Sequence, residues 1–172
     1  MPPSFIPSFR LSVFPSFRLS VFPSFRPFDR APVHQPLLES VTTVRVNYSE
    51  TDQMGVVYHG RHVVWLDIAR TEHLRQAGYS YRVLEEQGIR LVVTDLRVRY
   101  RQAVRFDDVV RVRCRVVEAS PRRIVFGYEL EESQSGTRVA DAQTTLLCLD
   151  AERRFARLPE AVVRALGGGS RS

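Results

Sequence analysis

Asp52, Gly55, Tyr58 and His59 stand close together between a β-branched run (Val41 to Val46) and an amphipathic helix expected over residues 60–77. A carboxylate facing a helix N-terminus can act as a nucleophile or a general base. The unbonded N–H groups of the same terminus can receive an oxyanion. One short loop thus holds the parts for acyl transfer. The plainer reading of Asp52 is a loop aspartate that only caps the helix. Gly55 is expected to take a positive φ and let the loop lie close to a substrate.

The elements that must position this loop follow from apolar spacing. Residues 41–48 read as a strand. In the helix over 60–77, Val63, Val64, Trp65, Leu66, Ile68, Ala69, Leu74 and Ala77 cover most of the circumference, so other structure should enclose it. Gly78 supplies its stop. His62 and His73 read as residues of its surface. A short helical turn is expected over 82–87. Alternation then takes over: Leu96, Val98 and Tyr100 interleave with arginines, as do Val110, Val112, Cys114 and Val116. Ile124 to Leu130 and Val139 to Leu149 continue the pattern, and a last short helix follows Pro159. Period-two alternation with short turns means antiparallel neighbours with one solvated face. The fold class is therefore α+β, an antiparallel sheet of about five strands wrapped around one long central helix. One helix leaves sheet edges unprotected, and dimerisation that extends the sheet is the economical remedy.

The chain has 172 residues and a formal charge of +6, and all 25 basic residues are arginine. They alternate along strands and form no block, which favours solvated sheet faces over a nucleic-acid stripe. Cys114 and Cys148 lie in apolar runs without metal-ligand spacing, so buried reduced thiols are expected and no metal site. No apolar run approaches the length of a membrane span, which makes stable membrane insertion unexpected and the cytoplasm the default compartment.

The first 39 residues differ from the rest. PSFRLSVF at residues 7–14 repeats without change at 15–22, and seven of the ten Phe and eight of the ten Pro fall within residues 1–36. A proline in every copy bars a helix or a central strand. The expected organisation is a disordered extension over 1–39, with repeat expansion or a start-site artefact as its expected origin, a folded domain over 40–167 and a flexible tail over 168–172. A membrane- or partner-binding Phe/Arg tail is the alternative for the extension.

Tyr48, Thr51-Asp52, Gly55, Val57-Tyr58-His59, Trp65, Ala69-Arg70 and Glu72 together resemble the hotdog-fold thioesterases of the 4-hydroxybenzoyl-CoA thioesterase type, closest to the Tol-Pal-associated acyl-CoA thioesterase branch. Residues 100–108 (YRQAVRFDD) are similar to that branch's second landmark, with Ala103-Val104 where Pro-Ala is usual. The resemblance covers about residues 41–166. It implies hydrolysis of an acyl-CoA to a carboxylic acid and free CoA, with no cofactor beyond the coenzyme A of the substrate. The assembly it implies is a homodimer or homotetramer.

The resemblance also implies that Asp52 is the nucleophile on the thioester carbonyl or the general base for water. The Tyr58 N–H is then the expected oxyanion donor, and His59 orients water or polarises the carbonyl. Tyr48 is expected to hydrogen-bond within the site. Gly55, Val57, Trp65 and Tyr100 are the candidate substrate contacts, and Arg105, Arg122 and Arg123 the candidate partners of CoA phosphates. Glu72 is read as a structural partner of Arg70 and Arg75. Two other functions are compatible with the fold. One is a hydratase or dehydratase, against which the TDxxGxVYH string argues; the other is an acyl-CoA-binding protein without turnover.

Overall fold

The computed structural model describes residues 39–168. The extension expected over 1–39 lies outside the described residues apart from Glu39, and so do residues 169–172. Five strands form one sheet in the order β1-β3-β4-β5-β2, every neighbouring pair antiparallel. They are β1 (Glu39–Arg45), β2 (Arg90–Tyr100), β3 (Val109–Ala119), β4 (Arg123–Glu132) and β5 (Arg138–Leu149). The long helix α1 (His59–Gln76) packs on one face, and the short helices are α2 (Tyr81–Glu86) and α3 (Glu160–Ala165). This is the hotdog arrangement of a single long helix against an antiparallel sheet.

The alternation sets the two faces. Val110, Val112, Cys114 and Val116 on β3 point to the helix side and are fully buried, as are Ile124, Phe126, Tyr128 and Leu130 on β4. Trp65, Leu66, Ala69 and Leu74 of α1 close this core. The opposite face carries the strand arginines in cross-strand ion pairs, such as Arg113–Glu131 at 3.5 Å, Arg138–Glu129 at 3.0 Å and Arg101–Asp141 at 2.8 Å. Both cysteines are free and buried, and burial pushes the Cys114 thiol far up.

Three expectations need correction. The first strand ends at Arg45, because Asn47 and Glu50 form a capping box that turns Tyr48–Glu50 into a single 3-10 turn. His62 and His73 are not surface residues, being 5% and 0% exposed. His73 packs inward, its Nδ1 2.9 Å from the Ser40 hydroxyl, which ties α1 to β1. Nor do the described residues enclose all of α1. Val63, Val64 and Ile68 form an exposed apolar stripe, and the edge strand β2 exposes Val92, Val93 and Leu96. At the far end the stop is as expected: Gly78 takes φ 90°, and the N–H of Tyr79 donates to the Leu74 carbonyl at 2.9 Å.

Candidate active site

The loop between the 3-10 turn and α1 is held at both ends. Thr51 and Val57 form an antiparallel bridge, and inside it the Asp52 N–H donates to Val56 O and the Gly55 N–H to Asp52 O, both at 2.9 Å. Gly55 closes this turn at φ 72°, as its type predicts, and a Cβ there would meet nothing within 4 Å. The need is for the backbone angle and not for space. Asp52 Oδ1 accepts the Met54 N–H at 2.8 Å, so the carboxylate braces its own turn. It does not cap α1, whose N-cap is Tyr58 with no side-chain cap bond.

A second clamp sits beneath the loop. Glu50 is 6% exposed, and its carboxylate accepts from the Asn47 N–H (2.9 Å), Arg61 Nη2 (2.8 Å) and the Trp65 indole N–H (3.1 Å). Burial alone would raise its pKa. The hydrogen bonds from Asn47, Arg61 and Trp65 outweigh that and hold the carboxyl below its usual range. Sequence reasoning passed over Glu50, although Asn47-x-x-Glu50 carries the capping-box signature.

The Glu50 backbone also alters the expected oxyanion site. The Tyr58 N–H donates to the Glu50 carbonyl at 2.9 Å and is not available to substrate. The next N–H groups, of His59 and Gly60, open α1 and have no hydrogen-bond acceptor among the described residues. The Tyr58 side chain lies exposed against the His59 ring, with centroids 4.3 Å apart.

A pocket of about 290 Å³ brings together Asp52, Val56, Val57, His59, His62 and Tyr100, and residues 101–104 complete its lining. Of the candidate substrate contacts, Val57 and Tyr100 line it. The Tyr100 hydroxyl donates to the His59 carbonyl at 2.9 Å, and burial raises its pKa. Arg101, on the pocket rim, is paired with Asp141. Arg105 follows directly on Val104, with an exposed guanidinium that has no partner among the described residues.

Other predicted contacts lie elsewhere. Tyr48 is 75% exposed and packs edge-on against Phe106 at 5.5 Å, so it makes no hydrogen bond to Asp52. Trp65 is 1% exposed, lies behind His62 and bonds Glu50, and so is not a pocket surface. Arg122 and Arg123 sit at the other end of the sheet: Arg123 pairs with Leu147 on β5, whereas Tyr100 pairs with Ala140. Seven strand residues separate them, roughly 23 Å. Arg123 is moreover bound to Glu118. Glu72 has the expected structural role only in part. It pairs with Arg75, whose bond brings the Glu72 pKa to about 2, while Arg70 pairs with Asp67. A larger groove of about 520 Å³ lies between the β3–β4 turn and α3. Its carboxylate, Glu160, is tied to Arg164, and it contains none of the loop residues.

A loop carboxylate beside a helix start, on a five-strand antiparallel sheet around one long helix, defines a hotdog-fold protein. The chain belongs to the thioesterase-like superfamily, whose pattern matches residues 46–166. It is similar to the acyl-CoA thioester hydrolase YbgC of Escherichia coli O157:H7, with 31% identity over 121 residues, 70% of this chain and 90% of that protein. A hypothetical protein, TT1821 from Thermus thermophilus, superposes with a TM-score of 0.71 at 41% identity, covering 74% of this chain and 97% of its own. The DHNA-CoA thioesterase of Staphylococcus aureus superposes with a TM-score of 0.65 at 34% identity, covering 70% and 79%.

Proposed function

We propose that the protein is an acyl-CoA thioesterase, hydrolysing the thioester to a carboxylic acid and free coenzyme A. One observation carries this reading: Asp52 lines one pocket with His59, the first residue of α1, whose N–H has no acceptor among the described residues. The thioester carbonyl oxygen is taken by the His59 and Gly60 N–H groups, where the partial positive charge of the helix end stabilises the developing oxyanion. Asp52 attacks the carbonyl carbon as nucleophile, or removes a proton from the water that does. In either case the C–S bond breaks, CoA leaves as thiolate and is then protonated, and water supplies the new carboxylate oxygen. The His59 ring, at the pocket mouth, orients that water or polarises the carbonyl.

Arg105 is the arginine best placed for a CoA phosphate, being next to the pocket and unpaired among the described residues. No cofactor is needed, because coenzyme A belongs to the substrate. The finer placement, in the 4-hydroxybenzoyl-CoA thioesterase type and its Tol-Pal-associated branch, rests on the two landmark strings. A homodimer or homotetramer and a cytoplasmic location belong to the same proposal. No helix among the described residues is long and apolar enough to cross a membrane.

The test is release of free thiol from a panel of acyl-CoAs. Asp52→Asn is expected to lower turnover by at least about 100-fold, the lower range of a positioned acid or base. Equal rates for the variant and the wild type would remove Asp52 from the mechanism. Loss of enoyl-CoA absorbance without thiol release would decide for a hydratase, and affinity without turnover for a binding protein.

A further inference from the structure

A helix begins with N–H groups that have no partner in its own ladder, and in α1 some of these are already engaged. The Tyr58 N–H donates to the Glu50 carbonyl and the Arg61 N–H to the Tyr58 carbonyl, each at 2.9 Å. The N–H groups of His59 and Gly60 remain for an oxyanion. They belong to different peptide units. The His59 N–H shares a plane with the Tyr58 carbonyl, and the Gly60 N–H with the His59 carbonyl.

The second of these units is gripped by side chains. The Tyr100 hydroxyl, from the end of β2, donates to the His59 carbonyl oxygen at 2.9 Å, and His62 Nδ1 lies 3.2 Å from the same atom. A carbonyl only accepts, so Nδ1 carries the ring proton in this bond. The two donors come from different elements, and their rings meet edge-on at 5.1 Å, so each restrains the other. His62 is buried and packs beside Trp65 at 4.9 Å, which is itself bonded to Glu50. Tyr100 has one hydroxyl proton, and while the His59 carbonyl takes it none is offered to a substrate. Hydrogen bonds to a carbonyl draw charge along the amide and make its N–H a stronger donor. They also fix the peptide plane, and with it the direction of the Gly60 N–H.

We propose that Tyr100 and His62 are positioning residues for thioester hydrolysis: through the His59 carbonyl they orient and polarise the Gly60 N–H as an oxyanion donor. The proposal rests on the thioesterase reading and adds the groups that set the strength of its oxyanion site. In this role neither side chain touches the reacting atoms. Donors fixed beforehand stabilise a developing charge without reorganising as it forms, and β2 supplies that rigidity to the helix start.

Two measurements on the full chain test this. His59–Gly60 is the only His-Gly step in the sequence, so histidine labelled with 13C at the carbonyl and glycine labelled with 15N mark that peptide alone in an NMR spectrum. Tyr100→Phe keeps the ring and removes the hydroxyl. It is expected to move the His59 carbonyl carbon and the Gly60 nitrogen upfield. Turnover is then followed with whichever of acetyl-, butyryl-, palmitoyl- and benzoyl-CoA the wild type hydrolyses fastest. Tyr100→Phe and His62→Leu should each lower kcat by about 3- to 30-fold with KM within about twofold, since the donor matters most as charge builds on oxygen. His62→Asn, whose side-chain NH2 can stand in for the Nδ1 donor, should keep kcat within about threefold of wild type. A packing role would not be rescued by the smaller Asn. Unmoved NMR signals in Tyr100→Phe, unchanged kcat in both Tyr100→Phe and His62→Leu, or equal losses in His62→Asn and His62→Leu would each overturn the proposal and leave the thioesterase reading intact. Absence of thiol release by the wild type from all four substrates would overturn that reading, and the inference with it.

Discussion

Glu50 does at residue level what a loop cannot do alone. Its carboxylate joins the 3-10 turn to α1 through Asn47, Arg61 and Trp65, and its carbonyl takes the Tyr58 N–H, so one residue fixes the approach to the helix start. Arg61 is partly exposed, which weakens that ion pair. The buried bond to Trp65 and the bond to the Asn47 N–H carry more of the effect. Glu50→Ala is expected to cost about 1–3 kcal/mol of stability, from the indole N–H and backbone N–H left unmet. Because the native pKa is depressed, the contribution is complete above the ordinary glutamate value of about 4.3 and is lost as pH falls toward the lower native value. Urea unfolding of wild type and Glu50→Gln at pH 7 and at pH 3.5 checks this. The gap between the two proteins should narrow at the lower pH, and a gap that widens would refute the linkage.

At the scale of elements, the described residues leave an apolar surface without a cover. Val63, Val64 and Ile68 on α1 and Val92, Val93 and Leu96 on β2 are 36% to 46% exposed, and β2 is a sheet edge with unpaired backbone groups. A second copy meeting β2 would cover that edge, as the alternating strands imply on their own. Ile68→Arg places a charge on the stripe and is expected to shift the protein from dimer or tetramer to monomer by gel filtration, with thiol release falling alongside. A wild-type protein that elutes as a monomer would sink this architecture.

The same pattern of apolar positions explains what could be read beforehand. The inward positions named on β3 and β4 follow from alternation, although residues 124–128 and 139–142 are buried consecutively, and the span of α1 is displaced by one residue from the expected 60–77. What could not be read are contacts between elements distant in sequence. Tyr100 meets His59 and His62 only after β2 has crossed the sheet to lie beside β5. His73 looks like any polar helix residue until Ser40 is placed beneath it. Local periodicity reports which face is apolar, but a buried polar residue is defined by a partner that periodicity cannot name.

For the whole molecule, the question is whether the repeat extension belongs to the working unit. Among the described residues the hydrophobic core runs from Val46 to Leu166, and the superfamily pattern has the same limits. Among the described residues, Glu39 already pairs with Arg115 and Ser40 bonds His73. Residues 1–37 carry four arginines against one aspartate, a net +3 and half of the formal +6. A net charge of this sign favours attraction to anionic partners. A chain beginning at Leu38 is expected to keep the wild-type oligomeric state and a kcat/KM within about twofold, since core and pocket lie wholly inside it. Its retention on anionic lipid vesicles at low salt should fall, because half of the net charge and seven of the ten phenylalanines go with the extension. A shortened chain that loses most of its activity would make the extension part of the site or of the assembly. Unchanged vesicle binding would place the attraction on the arginine-rich outer face of the sheet instead.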